Sequence, residues 1–250
     1  MISLSSSRHV LPALRLLAAC LGLAVASAHA ETAPATTPAA DKTQEHLQLA
    51  SRQYAELQQM LALDERCHWL EPAARTALDA TAQERMAWFN SHGGQAGHPE
   101  AAAKAAIAAK AALDCNSPEA KGLAHAIRYG SWQMRTTWAL RGDALLSGAD
   151  RPAWLKGKSS VHTHRAALVE AIQGLEAKYG VSIQNAKPKV RQEAEALLAV
   201  RCTGADNGCP KAEQSAAKRA YAEAWLKQAE RYAAVLSKTK DKVGAPPPVE

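Results

Sequence analysis

The chain has 250 residues, enough for one sizeable domain or two small ones. Its net charge of +6, from 30 basic and 24 acidic residues, is too small to indicate a nucleic-acid partner, and none is expected. Alanine dominates the apolar fraction, β-branched residues are few, and Phe89 is the only phenylalanine. Because alanine favours helix whereas sheets favour β-branched and aromatic side chains, the composition predicts an all-α fold.

The first thirty residues have the layout of a signal peptide. Arg8 and Arg15 are followed by the apolar run 16–26, which is too short to span a bilayer, and small residues stand at Ala28 and Ala30. This layout predicts export with cleavage after Ala30. The mature chain is then expected in the periplasm or outside the cell, with no transmembrane segment.

A second interpretation of the same region is a lipoprotein. Residues 17–20 (Leu-Ala-Ala-Cys) resemble a lipobox, in which Cys20 would become the lipidated first residue of the mature chain. Arg15 interrupts the apolar stretch before this cysteine, and the apolar run continues beyond it. Both features favour ordinary cleavage, and a lipid anchor through Cys20 stays the alternative.

The mature chain divides into a linker, a helical domain and a tail. Residues 31–42 are rich in proline, threonine and alanine and predict a flexible linker, whereas residues 238–250 predict a disordered tail. In the domain between them (residues 43–237), apolar side chains recur in steps of three and four, and prolines stand where helices begin. The helices are expected at 43–66, 72–90, 99–113, 118–147, 160–179, 188–201 and 210–237. The sequence therefore predicts an irregular bundle of about seven helices.

Four of the five cysteines would remain after signal cleavage: Cys67, Cys115, Cys202 and Cys209. An even number in an exported chain predicts two disulfides. Cys202 and Cys209 flank a turn-rich loop, and Cys67 and Cys115 follow the first and third expected helices, so we expect Cys67–Cys115 and Cys202–Cys209. The other two connectivities stay open, and the lack of any CxxC pair argues against a zinc site.

No motif of a known chemistry is found in the sequence. A metalloprotease helix, a nucleophile elbow, a haem-attachment motif and a phosphate-binding loop are all absent. The histidine pairs His92/His98 and His162/His164 each supply at most half of a metal site. We therefore expect no metal, no cofactor and no catalytic residue, although a carboxylate lying in a cleft would leave no trace in the sequence.

The fourth expected helix carries an unusual polar stripe. At 100° per residue, Lys121, His125, Arg128, Trp132 and Arg135 fall on one face, opposite an apolar seam. Cations beside an indole predict a surface for an anionic partner. The other interpretation is a central helix, in which Trp132 belongs to the core and the arginines pair with acids of neighbouring helices.

The expected function is binding without catalysis. The sequence favours an exported helical protein that interacts with another protein or a small anionic ligand through this stripe. Two other functions stay open: a helical hydrolase that acts on cell-wall or lipid material, and a structural protein of the envelope.

Overall fold

The computed structural model describes residues 39–95, 97–147, 164–198 and 212–246, and within these ranges the chain forms helices and no strand. This confirms the all-α prediction. None of the described helices is both long and apolar enough to cross a membrane. The predicted signal peptide, most of the linker, Cys202 and Cys209 lie outside the described residues. The seven helices are α1 (Ala39–Cys67), α2 (Pro72–Ser91), α3 (Gly97–Ala109), α4 (Pro118–Ser147), α5 (Arg165–Tyr179), α6 (Val181–Leu198) and α7 (Ala212–Lys238).

Helices α2, α4 and α7 meet at the centre of the bundle. Trp138 of α4 has no exposed surface, and its indole N–H donates to the hydroxyl of Thr81 on α2 at 3.0 Å. Leu78 and Tyr232 are buried in the same apolar cluster. Because each large apolar side chain contributes about 1.5–3 kcal/mol when it is buried, this central contact stabilises the fold most. Helix α3 lies outside it and packs against α1.

Two helices begin as the prolines predict. The Glu71 carboxylate accepts the backbone N–H groups of Ala73 and Ala74, both at 2.8 Å, and so caps α2 in front of Pro72. The Ser117 hydroxyl likewise accepts from the backbone at the start of α4. Both helices therefore have a proline at their first position, where the missing N–H costs nothing.

The prediction that α6 begins at Pro188 is wrong. Gly180 ends α5 with a φ of +42°, and α6 begins immediately afterwards at Val181, so Pro188 lies inside the helix. Ile183 is buried and anchors the first turn against the bundle. Pro188 has no N–H group, so the carbonyl group of Gln184, four residues earlier, lacks its helical hydrogen bond. Both residues are exposed, so water can bind this carbonyl group instead.

Other helix ends also differ from the expected positions; α5, for example, begins at Arg165, five residues after its expected start. Helix α1 begins at Ala39, four residues inside the expected linker, and α3 ends at Ala109, four residues before its expected end. Residues 110–117 then form a series of turns that leads into α4. Alanine-rich stretches have high helix propensity, so apolar spacing alone does not fix where such helices end.

Residues 238–250 are the expected disordered tail, of which the structure describes residues 238–246. Residues 239–246, here called the strap, fold back against α4. Nη2 of Arg135 donates to the carbonyl groups of Asp241 and Lys242 at 2.7 and 3.0 Å. The Asp241 carboxylate accepts the backbone N–H groups of Val243 and Gly244, and these bonds close the strap into a turn.

The strap fits because two of its contacts involve glycine. Gly244 has a φ of +67°, and a Cβ atom at this position would run into the guanidinium group of Arg135. On the opposite side, the Val243 side chain lies where a Cβ of Gly174 on α5 would be. Glycine is therefore needed at both positions: a side chain would not fit at either one, and Gly244 also has a backbone conformation that favours glycine.

The disulfide Cys67–Cys115 is confirmed, with 5.6 Å between the Cα atoms. It joins the end of α1 to the turns that follow α3. Arg66 reinforces this connection, because its guanidinium group donates to the carbonyl groups of Ala111 at 2.5 Å and Leu113 at 2.8 Å. The disulfide therefore holds α1 beside the beginning of α4.

Candidate functional site

The structure divides the polar stripe of α4 into an outer and an inner part. Lys121 and Arg128 are exposed and His125 is half-buried on the outer side of the helix. Among the described residues, none of these three side chains has an ion-pair partner. Nε of Arg128 donates to the backbone carbonyl of Trp69 at 3.1 Å, which leaves the outer edge of the guanidinium group accessible. We call Lys121, His125 and Arg128 the basic face.

Arg135 does not belong to this surface. Its residue is 4% exposed, and Nη1 donates to the carboxylate of Glu71 at 2.7 Å, while Nη2 holds the strap. An arginine that is already bonded to a carboxylate and two carbonyl groups has little left to offer an external anion. The stripe is therefore accessible only in its first half.

Trp132 lies between the two parts. Its indole ring is half-buried and contacts the ring of Tyr179 edge-on, with 5.3 Å between the centroids. The indole N–H is buried and has no hydrogen-bond partner in the described part of the chain. The apolar seam opposite is buried at Ile127, Met134 and Trp138. One part of the Trp132 side chain thus packs in the core, and the other part is exposed one turn after Arg128.

The surroundings of the basic face add positive charge. The first turn of α4 contributes the positive end of a helix dipole close to Lys121. Glu119 in the first turn of α4 pairs with Lys110 at 2.5 Å, and Glu65 near the end of α1 pairs with Arg75. His68, which precedes Trp69 in the sequence, is exposed, and its φ of +53° turns the chain at the end of α1. The face is therefore cationic, with an aromatic border at Trp69.

A second group of polar residues lies inside the bundle, and no pattern in the sequence marks it. Glu84 of α2 is 2% exposed, and its Oε1 accepts the hydroxyl hydrogen of Tyr221 on α7 at 2.7 Å. Burial raises the pKa of Tyr221 well above its usual value, and the charge and hydrogen bond of Glu84 raise it further. Tyr221 and Trp225 belong to the expected seam of the last helix, but nothing in the sequence marks Glu84 as buried.

Two guanidinium groups complete this interior group. Arg141 of α4 lies over the ring of Trp225, with 4.2 Å from Cζ to the centroid, and 5.7 Å from that of Trp138. Nη1 of Arg85 lies 3.7 Å from Oε1 of Glu84. The group thus combines a buried carboxylate, a phenol, indole rings and two cations. We call Glu84, Arg85, Arg141, Tyr221 and Trp225 the Glu84 cluster.

The described histidines lie at separate places in the bundle. The described residues contain no group of three or more histidine, cysteine, aspartate or glutamate side chains that could bind a metal ion. His92 stacks on Trp88 with 4.0 Å between the ring centroids, at the end of α2. His98 lies in the first turn of α3 and His164 just before α5, whereas His162 lies outside the described residues.

Comparison with known proteins assigns no family to this architecture. No protein-family model, curated protein or solved structure matches the chain.

Proposed function

We propose that the chain is an exported, disulfide-braced binding protein whose basic face takes an acidic segment of a partner protein. The observation that carries the proposal is the state of Lys121 and Arg128. Both are exposed and have no acid partner among the described residues. Cations in this state can pair with external carboxylates without first breaking an internal ion pair.

A protein segment fits this face better than a small anion. Successive turns of α4 bring Lys121, His125 and Arg128 into a row, about 10 Å long at 1.5 Å per residue. An extended acidic segment can span such a row, and an apolar side chain of it can contact Trp69, which is half-buried at the border. Exposed pairs contribute only about 0.2–1 kcal/mol each, so binding of this kind is weak and sensitive to salt.

Export and a second disulfide are part of the proposal. The signal layout of the first thirty residues and the oxidised Cys67–Cys115 pair both fit a compartment outside the cytoplasm. Protein isolated from the periplasm is expected to have the mass of a chain that begins at Glu31, with Cys202 bonded to Cys209. A lipid on Cys20, an uncleaved chain or free thiols at Cys202 and Cys209 would contradict this part.

A fluorescently labelled hexaglutamate peptide tests the basic face. We expect the variant Lys121→Ala/Arg128→Ala to raise the Kd of the peptide about 2- to 30-fold, since it removes two exposed ion pairs. The control variant Lys104→Ala/Lys227→Ala removes the same charge from exposed positions on α3 and α7. Fluorescence anisotropy at low and physiological salt measures both.

The control separates a local site from the overall charge of the protein. If both double variants weaken binding equally, the peptide responds to net charge and the basic face is not a site. The same conclusion follows if the wild-type protein does not bind the peptide at low salt.

A further inference from the structure

Glu84 is buried in a state that leaves half of its carboxylate unused. Its side chain is 2% exposed, Oε1 accepts from Tyr221, and Oε2 has no hydrogen-bond partner among the described residues. A buried carboxylate oxygen without a donor is costly, so such groups in folded proteins normally have a partner. Oε2 can therefore accept a hydrogen bond from a ligand or a water molecule.

The two neighbouring guanidinium groups are also incompletely bonded. Arg85 and Glu84 approach to 3.7 Å, and Arg141 approaches Glu193 to 3.8 Å, distances that are too long for direct hydrogen bonds. The buried Nε atoms of Arg85 and Arg141 have no acceptor within the described ranges. Glu84 bonds Tyr221, Arg141 lies over Trp225, and these two rings contact each other, so the unused acceptor and donors belong to one continuous group.

The cluster has an aromatic side and a side that reaches the surface. The Arg141 guanidinium group lies over the ring of Trp225, a cation–π contact that leaves its N–H groups able to donate to an acceptor. The Arg141 side chain keeps 15% of its surface exposed, and its neighbour Glu193 on α6 is 43% exposed. The cluster therefore reaches the surface at Arg141, beside Glu193.

We propose that the Glu84 cluster binds a small zwitterion of the α-amino acid class. The ammonium group of the ligand donates to Oε2 of Glu84, and its carboxylate accepts from the guanidinium edge of Arg141. The two arginines and the two carboxylates of Glu84 and Glu193 balance in formal charge, and a zwitterion preserves this balance. The site is independent of the basic face and of its acidic partner.

Glycine, the smallest molecule of this class, is the probe. Acetate carries only the carboxylate group of glycine, and methylammonium carries only its ammonium group. These two ions serve as control ligands. We expect glycine to bind at millimolar concentration or below, as measured by isothermal titration calorimetry and by the fluorescence of the tryptophans beside Arg141. Each half is expected to bind at least about tenfold more weakly, because it leaves one buried charge unpaired.

Two variants locate the site. Glu84→Gln keeps the shape and an acceptor for Tyr221 but removes the charge, and Arg141→Lys keeps the charge but removes Nε. Each is expected to weaken glycine binding at least about tenfold. Glu195→Gln, which affects only an exposed pair with Arg191, should bind glycine like the wild type. Thermal unfolding followed by circular dichroism establishes whether the variants are folded. If Glu84→Gln does not fold, Arg141→Lys alone tests the site.

Three outcomes would overturn the proposal. One is that glycine does not bind, in which case water molecules are the hydrogen-bond partners of the unpaired groups in the cluster. Another is that acetate or methylammonium binds as tightly as glycine. The third is that the folded variants bind glycine like the wild type. None of these results bears on the hexaglutamate assay, so failure of this site and failure of the basic face can be distinguished.

Discussion

Removal of the Cys67–Cys115 disulfide tests how this bundle is stabilised. The bridge closes a segment with a sequence separation of 48 residues, and the chain-entropy relation for a loop of this length gives about 4 kcal/mol. In the folded state, the bonds from Arg66 to the Ala111 and Leu113 carbonyls hold the same two segments together without the bridge. The double variant Cys67→Ala/Cys115→Ala should therefore fold as before and lose about 4 kcal/mol of unfolding free energy.

Urea denaturation followed by circular dichroism measures this loss. Adding a reductant to the double variant should lower its stability further, by about 2.5 kcal/mol, if the short loop between Cys202 and Cys209 is also closed. A loss below about 1 kcal/mol in the double variant would refute the reasoning, since the denatured chain would then not be constrained by the bridge. A changed helix content before denaturation would show that Arg66 does not hold the ends.

Three further results are expected. Arg135→Met should lower the free energy of unfolding by about 2–3 kcal/mol in urea, since it breaks the bonds to Glu71 and to the strap, whereas Arg128→Met should change it by less than about 0.5 kcal/mol. Gly244→Ala should cost about 1–2 kcal/mol in the same assay because of its positive φ and the contact with Arg135. Burial raises the pKa of Tyr232 to about 12, so the folded state keeps a proton that the unfolded chain loses near pH 10. Stability should fall between pH 10 and 12 by up to about 2–3 kcal/mol, and Tyr232→Phe should remove this part of the fall.

The sequence predicts the helices well because their signals are local. Apolar side chains three and four apart define the seams, and prolines in first turns mark where α2 and α4 begin. The same local rule fails at Pro188, because the buried Ile183 extends α6 in front of the proline. Tertiary packing decides whether a proline begins a helix or is tolerated inside it, and a single sequence does not show that packing.

The strap likewise depends on a contact that is distant in the sequence. Residues 238–250 contain few apolar side chains and three consecutive prolines, which is the composition of a disordered segment. The strap (residues 239–246) is held instead by Arg135, more than a hundred positions earlier in the chain, which donates to the carbonyl groups of Asp241 and Lys242. Backbone carbonyl groups are the same in every residue, so such a contact leaves no sequence pattern.

The position of α4 in the bundle explains why the first half of its polar stripe is exposed and the second half is buried. Its first half is covered on one side by the contacts of Ala120, Ala124 and Ile127, so the opposite side faces solvent. Its second half is surrounded, because α4 packs against α2, α5, α6 and α7. A helical-wheel projection treats both halves alike, since it describes direction around the axis and not position along it.

This position along the axis also makes the two proposed sites independent. Arg128 of the basic face and Arg141 of the Glu84 cluster are 13 residues apart on one helix, about 20 Å at 1.5 Å per residue. No residue is common to the two sites, and charges separated by twice the Debye length at physiological salt are well screened. Substitutions at Lys121/Arg128 and at Glu84 should therefore change the stability of the fold additively, within about 0.5 kcal/mol. A larger coupling in a double-mutant cycle would mean that α4 moves as a unit between two packed positions, and the sites would then have to be studied as one.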